Sequence, residues 1–377
     1  MSWTKHIRRC GVCCAAATMA VAVVALGLSS NSPRASAATG KTYTIVLSNS
    51  VVNTWRTEMQ NIVKAMVVNN PPYKGHVHLN VIVSQASPSG QIQSLDNIIS
   101  ERPNAILVDA VSPTALNPVV QRACSMHIVV VFFDQWGPQE NKCAYRVRND
   151  ESGLFRSNAL WLAKTLHGHG NVIEDEGLPG APLEGIALNA ASAVFKSYPG
   201  IHVVARYAGD YAPGPSKQAV TSIITSNTVN GVYAISGTPG IVQAFLGANK
   251  KLVPISSFGE TGVEIVHLID QYKPQGFQVQ LAQDGPSVGG QALEVAWDAL
   301  TGKSPFADKA WGFAQGADAK DVLLPNIVYN TNGIKPPGFP LTPFTQLQQM
   351  ASGLPSTTEL PISLPQSPVS AKEVLGG

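Results

Sequence analysis

The sequence predicts an α/β protein made of two doubly wound parallel-sheet lobes, and three observations carry that prediction. Apolar segments alternate with segments of helical period from Thr42 to Phe133, and the same alternation restarts after Arg148. Runs such as Ile106–Val108 and Ile128–Phe133 are continuously apolar, as strands covered by helices on both faces must be. A chain of 377 residues with 44% apolar and 13% charged residues can fill cores of that kind, and is neither disordered nor fibrous.

Taken in order, Thr42–Ser48 is rich in β-formers, and Trp55, Met59, Ile62, Val63, Met66 and Val67 follow at helical spacing. Val77–Ser84 alternates as a strand. Ser87-Pro88 opens a helix with Ile92, Leu95, Ile98 and Ile99 on one face. Asn104–Val108, a helix over Ser112–Cys124 and the strand Ile128–Phe133 complete the first series. In the second series the expected strands are Asn171–Ile173, Ile201–Tyr207, Gly231–Ile235, Leu252–Phe258 and Phe277–Gln283. The expected helices are Ser152–Leu166, Leu183–Ser197, Ser216–Ser226, Ile241–Asn249, Val263–Gln271 and Val288–Leu300. The N-terminal lobe is assigned residues 38–148 and 284–320, the C-terminal lobe 149–283 and 321–339. Hinge crossings are expected near Arg148–Asp150, Gln283 and Asp321. Residues 340–377 are rich in Pro, Ser and Thr and read as an irregular tail.

Residues 1–37 have the order of a secretory signal: Lys5, Arg8 and Arg9, then the apolar stretch Cys10–Leu28, then Ala35-Ser36-Ala37. Cleavage is expected after Ala37, which puts the protein in the periplasm or outside the cell; the alternative is an uncleaved anchor. The formal charge of +2 includes four basic residues of this segment, and the remainder holds 22 basic against 24 acidic residues. A nearly neutral chain argues against a nucleic-acid partner. Cys10, Cys13 and Cys14 leave with the signal, so Cys124 and Cys143 are expected to form a disulfide in an oxidising compartment.

Ligands of doubly wound sheets bind at the carboxyl ends of strands. There the first series offers Ser48, Asn49, Ser50, Asn53, Gln85, Asp109, Asp134, Gln135 and Trp136. The second offers Gly177–Pro182, Asp210, Tyr211, Ser236, Thr238, Gly259, Glu260, Gln283 and Asp284. Amides, hydroxyls, a few carboxylates and aromatic rings suit a neutral polyhydroxylated ligand. Other chemistries lack their parts. No G-x-S-x-G elbow is present, and Gly302-Lys303-Ser304 lacks the earlier glycine of a phosphate loop. His76/His78 and His167/His169 have no third ligand nearby, so neither metal nor cofactor is expected. Asp109 and Asp134 are the candidate acid/base pair of an alternative reading, a secreted hydrolase; hydrogen bonding to ligand hydroxyls explains them with less machinery.

Four stretches carry a resemblance to a known family: Ile45–Ser48 with Asn53-Thr54-Trp55-Arg56; Phe133-Asp134-Gln135; Gly177-Leu178-Pro179-Gly180; and Leu281-Ala282-Gln283-Asp284 with Gly289 and Ala292. Over about 41–335 the chain resembles the type I periplasmic sugar-binding proteins, in the ribose- and galactofuranose-binding branch. The resemblance implies a clamshell joined by three crossings, with no catalysis. It implies a sugar as the ligand, and the strand-end reading together with the resemblance gives the candidate contacts Ser48, Asn53, Trp55, Arg56, Asp109, Asp134, Gln135, Trp136, Tyr211, Ser236 and Gln283. It also implies delivery to an ABC permease by a monomer, the alternative being a ligand sensor for a membrane receptor. Departures stand at Gln135 and Ala187, where the family has arginine, and at Ser236-Gly237 and Ser257-Phe258-Gly259, where it has Asn-Asp and Gly-Phe-Asp. Glu184, Glu260 and Asp210 are candidate substitutes.

Overall fold

The computed structural model describes residues 40–49, 53–112, 114–134 and 141–360. The signal-like segment, Gln135 and Trp136 lie outside the described residues. The first series is β1 (Tyr43–Asn49), α1 (Thr54–Asn69), β2 (Val77–Val83), α2 (Pro88–Ser100), β3 (Ala105–Val108), α3 (Asn117–Ser125), β4 (Val129–Phe133) and β5 (Tyr145–Arg148). The chain then builds α4 (Glu151–Thr165), β6 (His169–Asp175), α5 (Pro182–Phe195), β7 (Gly200–Tyr207), α6 (Pro213–Ser226), β8 (Gly231–Tyr233), α7 (Thr238–Gly247), β9 (Ile255–Phe258), α8 (Val263–Tyr272) and β10 (Val279–Ala282). It returns to the first lobe for α9 (Val288–Thr301), β11 (Ala314–Gln315) and β12 (Asp321–Leu323), and ends in the second with β13 (Val328–Asn330), β14 (Leu341–Thr342) and α10 (Phe344–Ala351).

Two seven-stranded sheets result, ordered β11-β12-β5-β4-β3-β1-β2 and β14-β13-β10-β9-β8-β6-β7. Pairing is parallel except at β11/β12 and β10/β13. Both faces of each sheet are covered, which is why the strands are continuously apolar. In the first lobe Ile45, Leu47, Leu107, Val131 and Phe133 face α1 and α9, whereas Val46, Ile106, Val108, Val130 and Phe132 face α2 and α3. In the second, Ile173, Val232, Val279 and Leu281 share a core with α6, α7 and α8, and Val172, Tyr233 and Phe258 share one with α4 and α5.

Side-chain caps set helix starts. Asn53, Ser87 and Asp150 each accept a backbone N–H three residues on, at the heads of α1, α2 and α4. The helix expected from Ser112 begins at Asn117, immediately before Pro118, which tolerates only the first helical turn. A disulfide joins Cys124 to Cys143 and ties the end of α3 to the approach to β5.

Three expectations are corrected. Strand β5 was absent from the sequence reading because its alternate residues are arginines. Arg146 is nonetheless buried against Asp318 at 2.6 Å, and Arg148 makes two bonds of 2.9 Å to Asp321. That pairing holds Asp321–Leu323 against β5 in the first sheet, so the third crossing follows Leu324 and 321–323 do not belong to the second lobe. The Pro-rich tail is built into the second lobe as far as residue 360: Phe344, Leu347, Ala351 and Leu360 enter its core.

Helices α6 and α7 pack so closely that a Cβ on Gly240 would strike the Pro213 carbonyl, a backbone group with no rotamer to change. Gly240→Ala is therefore expected to lower stability to denaturant by roughly 1–3 kcal/mol, with both helices retained by circular dichroism.

Candidate functional site

A cleft of about 530 Å³ opens at the carboxyl ends of both sheets. The first lobe contributes Asn53–Arg56 from the head of α1 and Asp134 after β4; the second crossing contributes Asp284. The second lobe contributes Tyr211, Ser236, Phe258, Glu260 and Thr261, and the C-terminal segment adds Ser356–Glu359.

The first-lobe wall is organised by one guanidinium. Arg56 Nε donates to Asp109 Oδ2 at 2.6 Å, and Nη2 donates to Asp109 Oδ1 and to Asp134 Oδ2, each at 3.3 Å. Burial works against the Arg56 charge, but Asp109 and Asp134 outweigh it and hold the group more firmly protonated than usual. Beside it, Trp55 Nε1 donates to the Asp284 carbonyl at 3.1 Å, and the Arg56 guanidinium carbon lies 5.7 Å from the Trp55 ring centroid. The indole is thus anchored across the hinge with part of its surface open to the cleft. Asp134 has a φ of 58°, the left-handed region that costs a non-glycine residue energy, as do Asp210 and Tyr211 at 51° and 52°.

The second-lobe loops are held by Asp175 at the end of β6. Its carboxylate accepts the backbone N–H groups of Gly177, Gly209, Ile235 and Ser236 at 2.8–3.2 Å, drawing three loops to one point. Glu260 accepts the Thr238 N–H at the head of α7, at 2.6 Å. Burial raises the Glu260 carboxyl to about 7. Asp284 accepts from Asn149 at 2.6 Å and is likewise raised to about 7, by burial first and then by Glu151. Its hydrogen bond to Asp134 joins two carboxyl groups and so requires one shared proton.

Of the expected ligand contacts, Asn53, Trp55, Arg56, Asp134, Tyr211 and Ser236 come together on the cleft wall. Three others do not reach it. Ser48 is fully buried, its Oγ 3.4 Å from Gln91 Nε2. Asp109 is fully buried behind Arg56 and positions it. Gln283 points into a separate hinge cavity of about 20 Å³, lined by Asn149, Ser287 and Gln291. Successive residues at a strand end face opposite ways, so its neighbour Asp284 takes the cleft position instead. Gln135 and Trp136 lie outside the described residues. Of the candidate substitutes, Glu260 lines the cleft, whereas Glu184 accepts from the Gly180 N–H at 2.6 Å. Thr261 and Glu359 went unread and Phe258 was read only as part of a departure, although Phe258 and Thr261 flank the strand-end pair Gly259-Glu260. Among the described residues no cluster of three His, Cys, Asp or Glu is arranged to hold a metal ion.

Residues 44–304 match the periplasmic binding protein domain, and the chain belongs to that family. It is similar to the galactofuranose-binding protein YtfQ of Escherichia coli, at 24% identity over 207 residues; the match spans 52% of this chain and 63% of that relative's length. Among solved structures it resembles the arabinose ABC transporter component from Shewanella sp. ANA-3, with a TM-score of 0.63 and 20% identity over 76% of this chain and 91% of that one. It also resembles an ABC transporter solute-binding protein from Thermobispora bispora, with a TM-score of 0.61 and 23% identity over 85% and 100%.

Two outcomes follow from the electrostatics. Arg56→Met leaves Asp109 buried without its partner and is expected to cost roughly 3 kcal/mol, most of it recovered in Arg56→Met/Asp109→Leu, by denaturant titration. The folded carboxyls of Glu260 and Asp284, both near 7, and of Glu151, near 8, lie above their ordinary values, so the folded chain binds protons more tightly than the unfolded one. Stability from these groups is full below about 4 and falls as pH rises toward 8. Asp318 and Asp321 are shifted down and act oppositely, losing stability only under strong acid. The melting temperature is therefore expected to be higher at pH 5.5 than at pH 8.5.

Proposed function

We propose that the chain is an extracytoplasmic solute-binding protein that closes two lobes on a small polar ligand, a sugar, and delivers it to an ABC importer. The observation that carries this reading is the facing of two polar walls across one cleft. One presents Asn53, Trp55, Arg56 and Asp134, the other Tyr211, Ser236 and Glu260. A ligand with many hydroxyls finds donors and acceptors on both walls, and its C–H faces pack on Trp55 and Phe258. Each wall supplies only part of the hydrogen bonds that a buried hydroxyl set requires, so closure and binding are one event.

The names of the relatives support this reading, since one binds galactofuranose and another serves an arabinose transporter. Export by the segment 1–37, with cleavage after Ala37, belongs to the same proposal. The hydrolase alternative loses its geometry because Asp109 is fully buried behind Arg56 and cannot face a substrate together with Asp134. Burial of the Trp55 surface predicts a tryptophan fluorescence change on titration with D-galactose, L-arabinose, D-allose, D-fructose or myo-inositol. Asp134→Asn should weaken the best binder by about tenfold or more, since hydrogen bonds to charged groups contribute roughly 1.5–3 kcal/mol. Calorimetry showing no heat with the whole panel, and no small molecule in mass spectra of the denatured protein, would overturn the reading.

A further inference from the structure

The family domain ends at residue 304, yet four residues of the cleft wall, Ser356 to Glu359, come from far beyond it. After α10 the chain turns back along the loop between β9 and α8. Val263 N donates to the Thr358 carbonyl at 2.8 Å, Leu360 N donates to the Thr261 carbonyl at 2.7 Å, and Gly262 and Glu359 form an antiparallel bridge. Leu360 is fully buried in the second-lobe core. A short stretch of backbone is therefore pinned to the second lobe from both sides of Glu359.

The Glu359 side chain extends from this anchor to both lobes. Oε2 accepts from Thr261 Oγ1 at 2.7 Å in the second lobe, and Oε1 accepts from Thr54 Oγ1 at 3.3 Å in the first turn of α1, in the first. A carboxylate has about four acceptor positions. Two are engaged by these hydroxyls, which leaves capacity for donors from whatever occupies the cleft that Glu359 lines.

We infer that Ser356–Glu359 is a working wall of the ligand site, and that Glu359 is a binding residue that accepts a hydrogen bond from the ligand while bridging the two lobes around it. The inference rests on the reading of this cleft as the ligand site, and it makes the site of this chain larger than the family domain. The competing role is plain packing, in which Leu360 matters for stability and the Glu359 carboxylate for nothing.

The test compares the full chain with Glu359→Ala, Glu359→Gln and a chain ending at Ser352, using calorimetry with the five sugars above and small-angle scattering without ligand. Glu359→Ala is expected to weaken the best-binding sugar about tenfold or more and to shift the ligand-free profile toward more open lobes. Glu359→Gln keeps one carbonyl acceptor and should hold the wild-type profile while losing part of the affinity. The shortened chain should behave as Glu359→Ala with an additional loss of thermal stability, because Leu360 leaves a core. Unchanged affinity and unchanged scattering in Glu359→Ala overturn the inference. Should no sugar bind the full chain, the sugar reading fails and scattering alone decides: an opened Glu359→Ala profile supports the bridge, an unchanged one overturns it.

Discussion

A carboxylate withdrawn from water at the end of a strand must be met by donors, and the cleft depends on that constraint. In the first lobe the group is Asp109, fully buried after β3, and its donor is the guanidinium of Arg56 at the head of α1. Because Arg56 also reaches Asp134, three separate connections converge on one cation. In the second lobe the group is Asp175, and its donors are four backbone N–H groups from three loops. Each lobe therefore has an internal post around which its cleft-facing loops are wound. Arg56 and Ser236 belong both to a post and to the cleft wall, whereas Asp109 stays buried behind that wall.

The hinge obeys the same rule with partners drawn from different crossings. Arg148, at the first crossing, pairs with Asp321 near the third, and Asn149 donates to Asp284 at the second. Trp55 adds a bond from the first lobe to the backbone of the second crossing. These bonds tie the three crossings to one another. The C-terminal segment also lines the cleft, anchored to the second lobe by a β-bridge and to its core by Leu360.

Much of the fold was legible because parallel strands buried on both faces leave a one-dimensional signature. Ile106–Val108 and Val129–Phe133 read as strands without any knowledge of their neighbours. Parts of both cleft walls were legible for the same reason, since a strand end can be located by where the apolar run stops: Asp134 follows Phe133 in the first lobe, and Tyr211 and Ser236 follow their strands in the second. Strand β5 was not legible, because Arg146 and Arg148 look solvated until Asp318 and Asp321 arrive from some 170 residues away. Nor was α10, whose apolar residues Phe344, Leu347 and Ala351 sit inside a stretch dominated by turn-forming composition.

By itself the sequence determined the layer order, the strand ends and the chemical types available there, because each of these depends on neighbours along the chain. Only the tertiary structure decided which of those groups face the cleft. Ser48 and Asp109 are withdrawn from it, Gln283 yields its place to Asp284, and Glu359 enters from beyond the family domain. The physical reason is that a side chain's direction at a strand end, and the return of a distant segment, are set by partners remote in sequence.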